Sequence, residues 1–377
     1  MATNPEKLKL VKKVGQAGAN LCMDRVPNSG RIFFGSSDAH VYEIDLDAEK
    51  PVAIAFGPQV DPKAKAEDED EAKNDPMQPA QGHTSYVMGV AYTGKYVVSG
   101  AYDRKLVWWD AVTRQQVRVV ENSHDRWIRG VFASPDKKII ASVADDMVCN
   151  LWDADSGKKL HELRGHEVMT PNHYRSMLFA AEFSPDGKLL ATCDKVGHVV
   201  VWDVATGKQV ATFESPENYT WDPKQRRHSI GGARSVAFSA DSRQIAVGGI
   251  GKIGNIDHLG GPSLTQTYDW KTGKRIQVFS HDKHKGLIER LAYDPAGNWL
   301  LGGGGAHGGF LLYMDLKTGK FIKDEDAKFH IHRFQLNEAA DRIYAVGNGN
   351  LAVWEFKAEE EKAEKKGAEK KVEEKKG

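Results

Sequence analysis

The sequence predicts an all-β fold, a propeller of seven four-stranded blades, on three observations. Four segments end in nearly the same phrase: LVWWDAVTRQ at 106–115, NLWDADSGKK at 150–159, VVWDVATGKQ at 200–209 and TYDWKTGKRI at 267–276. An apolar strand closed by Trp-Asp and recurring at roughly 40–45 residues is the period of a propeller blade. Between these phrases short β-branched runs alternate with turn residues, and each end of the chain lacks what the other supplies.

The residue before the strand-ending Asp, or its equivalent, marks seven units: Ile44, Trp109, Trp152, Trp202, Tyr268, Met314 and Trp354. Their spacings of 65, 43, 50, 66, 46 and 40 residues put insertions in three units. Within a unit the order is strand, turn, strand, loop, strand, turn, strand: SMLFAAEF, the turn SPDG at 184–187, KLLATC, HVVVWD, the turn ATGK and QVATF. Pro sets φ for a type I turn while Asp and Gly supply local hydrogen bonds and positive φ. The same slot reads SPDK at 134–137, SADS at 239–242 and DPAG at 294–297. After Trp354 the chain turns charged before a fourth strand can form, whereas KLKLVKKV at 7–14 is a strand without a blade. Residues 7–14 are therefore expected as the outer strand of the last blade, which closes the ring and removes its open edges.

With these repeats the chain resembles the WD-repeat family of seven-bladed propellers over residues 7–357. The resemblance implies a hydrogen-bonded structural network of His, Ser or Thr, Asp and Trp in each blade. It places His83, Ser99, Asp103 and Trp109 in the second blade and His124, Ser142, Asp146 and Trp152 in the third. The fourth keeps His166, Thr192 and Trp202 but has Val196 where the Asp belongs; the first keeps Asp38 alone, and the fifth and sixth almost nothing.

Two segments stand outside the ring. Residues 58–81 read as a flexible insertion with an acidic block from Glu67 to Glu71, and 358–377 as a disordered charged Lys/Glu tail. Lys plus Arg equals Asp plus Glu at 52 each, so no global field attracts nucleic acid or an anionic membrane. A short patch of Lys224, Arg226, Arg227 and Arg234 does not change that expectation. No apolar run spans a bilayer and the first residues do not read as a signal peptide, so the expected location is cytoplasmic. Cys22, Cys149 and Cys193, odd in number and scattered, are expected as buried reduced thiols, and the sequon at Asn218 as chance.

Enzyme motifs give only near-misses. In HELRGH at 161–166 the second His comes one position too late for a zinc-protease helix. Gly207-Lys208 and Gly273-Lys274 are strand-connecting turns, and GGGGAHGG at 302–309 runs into a strand, where glycine permits close backbone packing. His281, His284, His307, His330 and His332 gather in the last blades with His258 in the fifth blade's insertion. They have no carboxylate or thiolate near them in sequence at metal-ligand spacing, so structural or surface roles, no metal and no cofactor are expected.

A binding surface is better supported. Loops at one mouth of the ring carry Tyr86, Tyr102, Trp127, Tyr174, Arg175, Tyr219, Trp221, Arg226 and Arg227, the residue types that dominate protein interfaces. The expected function is a non-enzymatic scaffold binding other proteins or peptides through that face. The alternative is an enzyme or small-ligand binder with a site at the channel mouth formed by loops 250–264 and 302–309.

Overall fold

The computed structural model describes residues 4–57, 82–224, 227–255 and 257–356. The expectations for 58–81, for 358–377 and for Arg226 lie outside the described residues. Five blades are separate four-stranded sheets, the second to the sixth, whose inner strands are Val87–Tyr92, Ile128–Ala133, Leu178–Phe183, Ser235–Phe238 and Leu287–Tyr293. The one six-stranded sheet contains the seventh and first blades, because two of its strands serve twice.

Leu8–Arg25 is the first of these. Its beginning pairs with the end of the chain, Leu8 opposite Phe356 through Gly15 opposite Asn350, and its end pairs with Arg31–Ser36, Asn20 opposite Ser36 through Arg25 opposite Ile32. Arg342–Phe356 is the second: its first half pairs with Ile331–Leu336, and then it folds back so that Phe356 N–H donates to the Asp341 carbonyl at 3.0 Å. Gly18 and Gly349, at φ +80° and +67°, let these strands change blade or direction. The expected closure by 7–14 is present, and the closing strand also runs on as the inner strand of the first blade. The inner strands touch in an unbroken circuit, seventh to first and onward to the sixth and back to the seventh.

Repeated turn chemistry spaces the strands. In SPDK, SPDG and SADS the Ser hydroxyl donates to the Asp two residues on, each at 2.6 Å, and the fourth residue takes positive φ at Lys137, Gly187 and Ser242. The apolar core lies between neighbouring blades, with Phe33, Val107 and Trp109 between the first and second and Trp299, Tyr313, Phe334 and Trp354 between the sixth and seventh. Each such side chain withdrawn from water contributes about 1.5–3 kcal/mol. Among the described residues no helix is long and apolar enough to cross a membrane. Cys22, Cys149 and Cys193 are free and buried, and burial pushes the Cys22 thiol up to about 12. The sequon residue Asn218 is fully buried, its amide donating to Ser215 at 3.2 Å.

Candidate functional site

The structural networks come first, because they fix the loops that carry everything else. In the second blade His83 Nδ1 lies 3.0 Å from Asp103 and Nε2 2.8 Å from Ser99 Oγ, which also accepts Trp109 Nε1–H at 2.8 Å. With a neutral imidazole the protons run one way, Trp to Ser to His and His to Asp, and no polar atom of the relay is left over. The third blade repeats it with His124 at 2.9 Å from Asp146 and 2.7 Å from Ser142, which accepts from Trp152 at 2.9 Å. Burial opposes ionisation of Asp103 and Asp146, but the hydrogen bond from the paired His, with two backbone N–H groups on each carboxylate, holds both carboxyls below the usual range.

The fourth blade corrects the sequence reading. Its network is complete, because Asp194 supplies the carboxylate that Val196 cannot, lying 3.1 Å from His166 Nδ1 while Thr192 joins His166 and Trp202 at 2.8 and 2.9 Å. Burial is the main force that lowers the pKa of His166, against the pull of Asp194. Asp38 belongs to no buried relay: it accepts from Tyr42 Oη at 2.7 Å and has the exposed His40 ring 3.5 Å away.

The inner strands then shape the channel mouth. In six blades the ladder slips by one residue near the start of the inner strand, at Leu21, Met88, Arg129, Phe179, Glu289 and His332. A bulge re-aims its side chain, and all six line one cavity of about 230 Å³, which Arg234, just before the fifth inner strand, also lines. Inner strands approach so closely that a Cβ on Gly89 would lie 2.2 Å from the Val131 nitrogen. Deeper in, side chains cross the channel: Arg290 binds Glu182 at 2.6 and 3.1 Å, and the Arg333 guanidinium lies 5.0 Å from the Phe132 ring centroid.

This ring was not legible in the sequence, because a bulge has no residue signature and the seven side chains share no common type. The nearest signal is the offset of Met88 and Arg129, each five residues after its blade's His. Arg129 grips Asp145 through two bonds of 2.7 and 2.6 Å and also donates to Tyr102 Oη. The Arg234 guanidinium lies 3.5 Å from the Phe179 ring centroid, its Nη1 without a hydrogen-bond partner. Burial and the nearby Arg234 and Arg129 bring Lys195 down to about 8.

Around this cup the predicted aromatic residues form two clusters. Tyr86, Tyr102 and Trp127 stack as a ladder, with centroids 5.8 Å and 4.7 Å apart, and Arg129 lies 4.8 Å from the Tyr102 ring. The outer members, Tyr86 and Trp127, are 49% and 51% exposed. The second cluster joins two insertions: Tyr174 packs on Trp221 at 5.0 Å, and Tyr219 Oη donates to Asn172 at 3.0 Å. Val168 and Met169 extend it as exposed apolar surface. Arg175 and Arg227 are exposed but hold no aromatic ring.

The histidines of the last blades fall into two separate groups. His284 pairs with Asp324 at 2.7 Å beside His281, and His258 and His307 line a surface cavity of about 480 Å³ with His284, Lys283 and Lys285. His330 and His332 stack at 4.4 Å on the channel side, where Glu289 of the neighbouring blade meets them. Sequence spacing offered these histidines no carboxylate, and the fold supplies Glu289 and Asp324 from elsewhere. The cavity also corrects the alternative site. Residues 302–309 are mostly paired strand, Trp299–Gly305 and Gly309–Asp315, and the cavity they border with 258–260 shares no lining residue with the channel.

The comparisons agree with this geometry. The family described as WD domain, G-beta repeat matches residues 75–110, 114–153 and 157–203, the span of the three complete networks. The chain is similar to Protein hir-1 of Neurospora crassa, 37% identical over 33% of this chain and 12% of that protein. It is also similar to a guanine nucleotide-binding protein subunit beta of Nicotiana tabacum, 24% identical over 73% of this chain and 70% of that one. A mouse periodic tryptophan protein 2 homolog is 26% identical over 48% of this chain and 20% of its own length. The chain therefore spans well under two thirds of the first and third of these relatives.

Proposed function

We propose that this WD-repeat propeller is a non-enzymatic scaffold that holds other proteins or peptides against the mouth of its channel. One observation carries the reading: Tyr86, Tyr102 and Trp127 are stacked in a fixed ladder, yet its outer rings stay half exposed. Rigid aromatic surface with a polar edge gives contact area at low entropic cost, and Arg234, whose Nη1 has no hydrogen-bond partner, lies on the same cup. Arg175, Tyr174, Tyr219, Trp221 and Arg227 extend the proposed surface. Three buried free thiols support a reducing, cytoplasmic setting.

The test is affinity capture from native lysate with the unaltered protein and with Trp127→Ala and Tyr86→Ala side by side. Partners lost with either variant, with the protein still folded at the capture temperature, support the reading; an identical captured set with all three defeats it.

A second reading, a small anionic ligand, is favoured by the cavity lined by His258, Lys283, His284, Lys285 and His307. Screening phosphates and nucleotides for a melting shift tests it, and no shift with any of them removes it.

A further inference from the structure

We propose that Glu289, His330 and His332 form a binding site for one divalent transition-metal ion, zinc by the chemistry of its donors, on the wall of the channel mouth. Two neighbouring blades supply the three ligands. Glu289 comes from the inner strand of the sixth blade, His330 and His332 from the start of the inner strand of the seventh, and one donor atom of each lies within 4.8 Å of the others. Glu289 and His332 both occupy bulges, which turn them out of the ladder, and on binding an ion the His330 and His332 rings, stacked at 4.4 Å, rotate apart so that their in-plane lone pairs meet.

Three details point to a cation. His330 Nε2 is buried and has no hydrogen-bond partner, and an orphaned buried nitrogen costs about 1–3 kcal/mol unless something satisfies it. It faces Glu289 Oε1 at 3.5 Å, too long for a hydrogen bond. That separation matches the edge of a tetrahedron around zinc, roughly 3.3 Å for bonds of about 2.0–2.1 Å. His332 Nε2 lies 2.9 Å from the Asn348 side-chain oxygen. As the donor in that bond it leaves the Nδ1 lone pair to bind metal, the role that partners behind metal-bound histidines play. The Asn348 backbone N–H donates to the His330 carbonyl at 3.0 Å, so one residue steadies both histidines.

Two imidazoles and one carboxylate suit zinc or a neighbouring first-row ion better than calcium or magnesium, which take oxygen ligands. Three protein ligands leave a coordination position unfilled. Glu289 and His332 line the channel cavity, so that position is reached from the mouth.

The experiment uses the full chain, without an affinity tag and stripped with a chelator, titrated with cobalt(II) and then zinc chloride. About one cobalt per chain should bind with a visible ligand-field band that zinc abolishes, and zinc should raise the melting temperature. Glu289→Gln and the double variant His330→Gln/His332→Gln should lose the band. Asn348→Ala should weaken zinc binding about 10–100-fold, and His284→Ala should leave it unchanged. No band at millimolar cobalt overturns the proposal, as does a band that survives in Glu289→Gln or disappears in His284→Ala. If the double variant does not fold, Glu289→Gln, which keeps the shape of the side chain, decides the matter alone.

Discussion

In the second, third and fourth blades a buried Trp Nε1–H donates to a Ser or Thr hydroxyl at 2.8–2.9 Å, whereas in the seventh Trp354 is equally buried and its Nε1 has no partner. The first group closes its polar relay inside each blade. The second is held from outside, by aromatic packing against the neighbouring blade and by a strand lent from the other end of the chain. The fifth blade is intermediate, with Gln266 buried and accepting from Ser215 at 2.7 Å. Histidine is committed in the relay blades, where it bridges Asp to Ser or Thr. In the last blades no relay claims it, and His330 and His332 are left at the channel wall beside Glu289.

The contrast breaks most readily at the seam. Deleting residues 1–15 should cost well over about 5 kcal/mol, because the buried Leu8 and a row of ladder hydrogen bonds go together. Thermal unfolding followed by circular dichroism checks this, and an unchanged midpoint would show that the seventh blade stands without the borrowed strand.

Next come the relays. Asp103→Ala and Asp194→Ala should each cost about 1–3 kcal/mol by stranding a buried imidazole. Ser263→Ala in the fifth blade removes a buried hydroxyl that has no partner and should be neutral or slightly stabilising. Denaturant titrations of the three variants decide. A harmless Asp194→Ala would mean that the fourth blade does not belong with the second and third.

Acid separates the two groups more gently. Asp103 and Asp146 have folded pKa values below their unfolded ones. Their contribution is fully present above the unfolded value, about 3.9, and is lost as pH falls through the lower folded value. Amide exchange below about pH 4 should therefore show the second and third blades losing protection before the first, which has no relay; the reverse order would contradict the relay assignment. The smallest effect belongs to the surface. Trp127→Ala should cost only about 0.5–1 kcal/mol, the worth of one exposed stacking contact, while lowering partner capture. Destabilisation as large as that of Asp103→Ala would make Trp127 a core residue.

Much of this was legible in advance. Blade count, turns and seam follow from period and turn chemistry, which are local, and the relays of the second and third blades from regular spacing. Asp194 was missed because it reaches His166 from two residues nearer Thr192 than the spacing Ser99 to Asp103 prescribes. The bulged ring was missed because a one-residue slip in a ladder depends on the partner strand. Glu289 was not connected to His330 because a whole blade of sequence separates them and only the curvature of the ring brings them together.

The strand shared by the seventh and first blades also imposes a timetable. Leu8 leaves the ribosome 348 residues ahead of its partner Phe356. At about 5–20 residues per second the wait is roughly 20–70 s. During that time the first half of Leu8–Arg25 is an unpaired edge with apolar Leu8, Leu10 and Val11, open to pairing with any other exposed strand. Lys7, Lys9, Lys12 and Lys13 alternate with those residues, and such charges on an edge discourage wrong pairings. The same lysines that make this strand look unpromising for a buried seam are thus suited to guarding it until the ring can shut.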